Sequence, residues 1–231
     1  MQLDSVQTHG GSDVRVNEFF YKAYGWMALA LAISGAAAWT VANNESLIVA
    51  FIGNPILFYG SIIAELGLVF YLSSRIQKLS LGAALGMFLA YSLLNGMTLS
   101  VILLAYTAAS IARVFFITAG TFSAVSLAGF VTKRDLSGMG GFLMMSLIGI
   151  IIASVVNIFL NSYMIEWIVS YAGVAIFVGL TAYDTQKLKY FASSNQTADA
   201  FGKMAVLGAL TLYLDFINLF LFLLRIMGNR R

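Results

Sequence analysis

Met204-Ala-Val-Leu-Gly-Ala-Leu-Thr-Leu-Tyr-Leu-Asp-Phe-Ile-Asn-Leu-Phe-Leu-Phe-Leu-Leu-Arg-Ile-Met227 is an apolar run interrupted by one acid, Asp215. A hydrocarbon core about 30 Å thick is crossed by roughly 20 apolar residues in a helix, so this run is expected to span a membrane. Asp215 lies about 16 Å along it at 1.5 Å per residue, near mid-membrane. At about 100° per residue, Gly208, Thr211, Asp215, Asn218, Phe222 and Arg225 share a single arc. The remaining faces are Leu, Phe and Ile, which predicts a helix packed on many sides with one polar seam.

Working outward, six more runs of spanning length precede this one, at 24–42, 55–72, 81–105, 111–131, 142–160 and 165–183. The only proline, Pro55, opens the second, where its missing N–H costs little. Of the 231 residues 60% are apolar and 10% charged, and the mean hydropathy is +0.88. Soluble domains carry about 25% charged residues, so a soluble globular enzyme is excluded. There is no cysteine, hence no disulfide, thiolate metal site or cysteine nucleophile. The one histidine, His9, lies in the polar N-terminal stretch, away from any membrane-embedded metal site or triad. The net charge of +3 sets topology rather than binding nucleic acid. The expected organisation is a 1–22 cytoplasmic tail followed by one seven-helix domain at 23–231. Val16, Phe19, Phe20 and Ala23 recur at helical spacing, as in a short interfacial helix.

Arg15, Lys22, Arg75, Lys78, Lys133, Arg134, Lys187, Lys189 and Lys203 all fall on the N-terminal side of the spans, nine of the thirteen cations. Arg113, Arg225, Arg230 and Arg231 fall on the other. Because cytoplasmic loops are enriched in Lys and Arg, the N-terminus is expected in the cytoplasm and the C-terminus outside.

Charges inside spans are costly and mark candidate sites. Asp184 ends the sixth run and shares a helix face with Ser170, Gly173 and Thr181. Consecutive spans often pack together, so Asp184 and Asp215 meet if the sixth helix continues past Asp184. Two carboxylates in contact do not both ionise easily and share a proton, which is the chemistry of a pH sensor. The plainer alternative is a helix-end cap at Asp184 and an isolated hydrogen-bonder at Asp215. Glu65 is the other deep acid. It lies some 15 Å along the second span from Arg75 and cannot pair with it. Arg75 is either a counter-ion for the Asp184 region or a snorkelling topology residue. Glu166 sits at a water-exposed span end, and Asn95 and Asn157 are expected to join helices rather than bind an ion. Two stripes on the third span, Gly82, Gly86, Ala90 and Ser92, Gly96, Ser100, are expected to let backbones approach.

Gly179-Leu-Thr-Ala-Tyr-Asp-Thr-Gln186 and Gly208-Ala-Leu-Thr-Leu-Tyr-Leu-Asp-Phe-Ile-Asn218 resemble the last two spans of the Bax inhibitor family, the transmembrane Bax-inhibitor-motif proteins. Tyr106-Thr-Ala-Ala-Ser-Ile111 and Thr132-Lys-Arg-Asp-Leu-Ser137 extend the likeness, which runs from 20 to 231 and points to the family's bacterial inner-membrane branch. The resemblance implies an all-α polytopic seven-transmembrane-helix bundle with the last helix central, and a calcium leak gated by protonation of an aspartate pair, here Asp184 and Asp215. It places an arginine latch at Arg75 and an acidic pore residue at Glu65. The loop at 193–197 is expected to be longer than in some relatives.

Calcium is a hard cation that takes oxygen ligands, and Asp184, Asp215, Glu65, Asn218 and Thr211 supply some along a path, with too few acids for a tight cage. Weak, transient coordination by Asp184 and Asp215 suits a leak. No cofactor and no enzymatic activity are expected, and the partners are the lipid bilayer, calcium and protons. An intramembrane aspartyl protease would need a Gly-x-Gly-Asp motif where this chain has Leu212-Tyr-Leu-Asp215, and a retinal photoreceptor would need a lysine inside the seventh span. The alternative function is a non-transporting membrane interaction protein that modulates a membrane protease or a stress or cell-death partner.

Overall fold

The computed structural model describes residues 2–194 and 197–231, with side chains from Val14 onward. The middle of the loop between the aspartates, Asn195 and Gln196, lies outside the described residues, as do the side chains of the N-terminal stretch that holds His9. Eight α-helices follow in order: α1 Gln2–Ala42, α2 Glu45–Leu47, α3 Pro55–Arg75, α4 Leu81–Ala105, α5 Ala108–Val131, α6 Ser137–Leu160, α7 Tyr163–Ser193 and α8 Ala198–Met227. All but α2 are long and apolar enough to cross a membrane. No extended strand occurs among the described residues, only an isolated bridge between Tyr106 and Arg230. The chain is an all-α polytopic membrane protein, with seven candidate spans among the described residues.

Polar residues cap several of the helix ends. Asn54 accepts from the Ile56 and Leu57 amides at 3.1 and 3.3 Å, with Pro55 at the first helical position. Thr107 accepts from the Ser110 amide at 3.4 Å and starts α5 three residues before its apolar run. Asn161 closes α6 in the left-handed conformation at φ 48°. Asn157, expected to join helices, instead turns its side chain to the Ser162 amide, 2.9 Å away, and caps the α6–α7 turn.

The chain divides into two compact units. The first holds residues 1–105, 191–213 and 231, and the second 106–190 and 214–230. In the first, α1 runs unbroken to Ala42. The Val16, Phe19, Phe20, Ala23 stripe is buried there, with Phe19 edge-on to Phe201 at 5.4 Å. Of the two small-residue stripes on α4, one is packed and the other is not. A methyl group added at Gly96 would strike the Ser34 backbone and lie 2.8 Å from the Ala37 methyl, whereas one at Gly82 or Gly86 meets nothing within 4 Å. Gly96→Ala is therefore expected to destabilise the protein by about 1–3 kcal/mol by forcing α1 and α4 apart. Gly82→Ala should be neutral or slightly stabilising, and thermal unfolding in detergent separates the two.

In the second unit α7 is locked by neighbours that leave little room for rotation. Gly129 of α5 lies against the Ala182 backbone, and the Tyr183 ring covers Gly140 of α6. The last span is the most buried, with 61% of its apolar stretch covered, against 6% in α6. That contrast follows from sequence: α8 carries polar groups that need protein around them, while α6 exposes Ile148, Ile151, Ile152 and Val155.

Candidate functional site

The turn that carries Asp184 is fixed by its two successors. Thr185 Oγ1 and Ser126 Oγ lie 2.8 Å apart, both buried. Gln186 acts as an extra peptide unit. Its Nε2 donates to the Arg134 carbonyl and its Oε1 accepts from the Leu136 amide, each at 2.8 Å. Lys189 Nζ donates to the Phe130 carbonyl at 2.7 Å. The Thr132–Ser137 motif and the Asp184–Gln186 motif thus fold onto one another. Asp135 in that loop accepts from the Ser137 amide at 2.9 Å, which holds its exposed carboxyl below the usual carboxylate range. Asp135 therefore stays ionised through neutral pH and is not a sensor there.

Asp184 is half-buried and lies inside α7, which continues to Ser193. It is not a helix-end cap. Phe177 of α7 stacks on Phe222 of α8 with ring centres 5.9 Å apart, and Gly173 makes room for the same ring. Asp184 and Asp215 are each seven residues from that contact, on antiparallel helices and toward the same membrane face. Two turns is about 10 Å and returns to the same side of a helix, so both acids come to one level. Asp215 is 4% exposed, and its Oδ2 has no hydrogen-bond partner. The charged group that acts on it across space is Asp184. Lys187, next along α7, is the cation that acts on Asp184. Asn218, on the Asp215 arc, donates from its amide to the Leu214 carbonyl at 2.8 Å, leaving its Oδ1 available to accept.

The second acidic centre lies in the first unit, where Glu65 is 8% exposed. Its Oε2 accepts from Asn95 Nδ2 at 3.0 Å and its Oε1 from Thr98 Oγ1 at 2.9 Å. Asn95 Oδ1 accepts from the Tyr213 hydroxyl at 2.8 Å, and Ser34 Oγ lies 2.6 Å beyond. Ser34 also reaches the Ser92 carbonyl at 2.7 Å. Asn95 thus joins helices as expected. Tyr213, Ser34 and Thr98 are members of this chain of bonds that the sequence did not single out. No cation lies within ion-pair distance of Glu65 among the described residues. Thr211 donates to the Leu207 carbonyl at 3.1 Å. Arg75 ends α3, exposed and without an ion pair among the described residues. No three acidic or histidine side chains converge to hold a metal ion among the described residues.

The remaining motif, Tyr106–Ile111, secures the C-terminus. The Thr107 amide donates to the Asn229 carbonyl at 3.1 Å, and the Asn229 amide to Ser110 Oγ at 3.0 Å. Arg230 stands over the Tyr106 ring at 5.9 Å and reaches Glu166 at 3.5 Å.

A helical membrane protein with a buried, unpaired acid facing a second acid on the neighbouring span is the class this arrangement defines. Residues 16–231 match the family model described as inhibitor of apoptosis-promoting Bax1, and the chain belongs to the Bax inhibitor family. It is 53% identical to inner membrane protein YbhL of Escherichia coli K12 over 215 residues, 92% of each chain. An uncharacterized protein of Borreliella burgdorferi is 44% identical over 216 residues, 93% of each. An uncharacterized membrane protein of Streptococcus pyogenes serotype M1 is 42% identical over 222 residues, 94% of this chain and 95% of that one.

Proposed function

We propose that the protein is a pH-sensitive calcium leak of the bacterial inner membrane, in which Asp184 and Asp215 are the proton-binding, gating pair. The observation that carries this reading is the Asp215 carboxylate. It is buried, one oxygen has no donor, and the charge facing it is a second carboxylate. A buried carboxylate of this kind holds a proton or a cation, because the bare charge is not solvated. Exchange of the two couples protonation to ion passage, and protonation shifts the balance between two helix arrangements. Asn218 Oδ1 offers a neutral oxygen on the same arc, and the scarcity of acids suits passing coordination rather than storage. Glu65 and Arg75 take the pore-acid and latch roles that the family likeness suggests.

The test is calcium entry into proteoliposomes carrying an internal indicator, from pH 5 to 8, with wild type, Asp184→Asn and Asp215→Asn. A pH-dependent flux altered by either substitution is expected, and Asp135→Asn should leave the profile unchanged. Flux equal to that of empty liposomes at every pH, with folded protein, rejects the leak in favour of a non-transporting interaction protein.

The cation asymmetry supports a cytoplasmic N-terminus and an external C-terminus. Because the chain has no cysteine, Arg231→Cys supplies a unique label. It should react with a membrane-impermeant maleimide in spheroplasts, and protection until lysis would reverse the orientation.

A further inference from the structure

We propose that Lys187 is a positioning residue of the aspartate pair, which keeps the pair's negative charge on Asp184 and so sets the pH at which the gate responds. The proposal rests on the leak reading above and names what regulates its gate. Because α7 continues unbroken from Tyr163 to Ser193, Asp184 and Lys187 lie three residues apart in regular helix, about 60° apart around the axis and about 4.5 Å along it. An acid placed N-terminal to a base at this spacing is the favourable order, since the cation stands nearer the helix C-terminus. Lys187 is exposed and makes no ion pair among the described residues, so its charge is available to Asp184.

Three contacts hold the cation in place. Lys187 Nζ stands over the Tyr183 ring, 5.9 Å from its centre. That ring packs over Gly140 of α6, where a methyl group would strike it. Between acid and base, Thr185 and Gln186 are buried in bonds to Ser126 and to the α5–α6 loop, so the backbone that joins the two charges is fixed. The charged groups that act on Asp184 are Lys187 on its own helix and Asp215 on α8. From α5 and α6 the groups against this turn, Ser126 and Gly140, are neutral. Lys133, Arg134 and Asp135 of the loop between those helices do not act on Asp184, and Lys189 is turned to the Phe130 carbonyl. The pair is therefore asymmetric. Asp184 is half-buried with a cation one turn away, whereas Asp215 is 4% exposed, has one oxygen without a donor and faces the other acid alone. A proton shared between them rests on Asp215 and the charge on Asp184.

The test is the pH profile of calcium flux into proteoliposomes carrying the full chain, with Lys187→Arg, Lys187→Met and Lys187→Glu beside the parent. Each replaces an exposed side chain, and thermal unfolding confirms that the variants fold. Without the cation Asp184 is harder to keep ionised, so both acids become protonated at a higher pH. The midpoint of the profile should move to higher pH by about 0.3 in Lys187→Met and by about twice that in Lys187→Glu, and should stay in place in Lys187→Arg. The direction is the same whether protonation opens or closes the path. Added salt should shrink the Lys187→Glu shift, since Lys187 meets water. A merely structural lysine would not give a shift graded by charge. A midpoint common to the parent and all three variants, or one that moves alike in Lys187→Arg and Lys187→Glu, overturns the proposal while leaving the leak intact. Flux from the parent no greater than in empty liposomes at every pH removes the leak and the proposal with it.

Discussion

Asp215→Asn is expected to abolish the pH dependence of calcium flux while leaving the folded protein as stable as wild type or more so. The two halves of this result have one cause. In wild type the Asp215 Oδ2 is buried without a donor, and Asp184 is the charge that acts on it. Replacing a buried carboxyl that has one unmet oxygen by an amide of the same shape relieves a cost of about 1–3 kcal/mol, part of which the new amide returns by needing acceptors of its own. The same substitution removes the group that exchanges a proton for a cation. A residue kept for stability behaves oppositely, since its loss lowers the melting temperature. Flux from pH 5 to 8 and thermal unfolding of the same preparation together decide the matter. A fall in stability with the pH profile intact would make Asp215 a structural hydrogen-bonder and sink the gating role.

The seven spans were legible because a helix must supply its crossing length in apolar residues, and each run stands between polar breaks. Their ends were less so. Hydropathy stops where the polar residues begin, while the helix continues as long as its backbone bonds are met, as in α7 from Tyr183 to Ser193. The placement of Asp184 inside a helix therefore came from the structure, whereas its shared level with Asp215 follows once Phe177 and Phe222 are known to stack. The chain of bonds around Glu65 was the harder part. Its hydroxyl members are common residues in apolar helices, and Tyr213 meets Asn95 and Ser34 across 118 and 179 residues of sequence. One signal was available. Tyr213 is two residues before Asp215 and so lies about 200° around α8, which means that the helix presents polar atoms on two opposed faces. A helix with two polar faces needs protein on both, which is what the burial of α8 records.

Asn95→Leu should cost about 2 kcal/mol of stability, and Tyr213→Phe should cost less in that background than in the wild type. Leucine fills a similar space, so the loss comes from polar groups and not from a cavity. Two bonds go at once: Glu65 Oε2 loses its donor and the Tyr213 hydroxyl loses its acceptor. Each buried group left unmet costs about 1–3 kcal/mol. Two effects moderate the sum. Glu65 keeps Thr98 on its other oxygen and Tyr213 keeps Ser34, and a chain unfolded within the membrane finds substitute partners. Tyr213→Phe takes away a hydroxyl that keeps only its Ser34 contact in the Asn95→Leu background but one bonded to both Ser34 and Asn95 in wild type. The double variant should therefore be more stable than the sum of the single losses by at least about 0.5 kcal/mol. Reversible unfolding of the purified protein closes this cycle. Simple additivity would show that Asn95 and Tyr213 act separately and that Glu65 is held by its own neighbours alone. Coupling would tie the acid on α3 to α8 through a single amide, so that a change at Glu65 is felt by the helix that also carries Asp215.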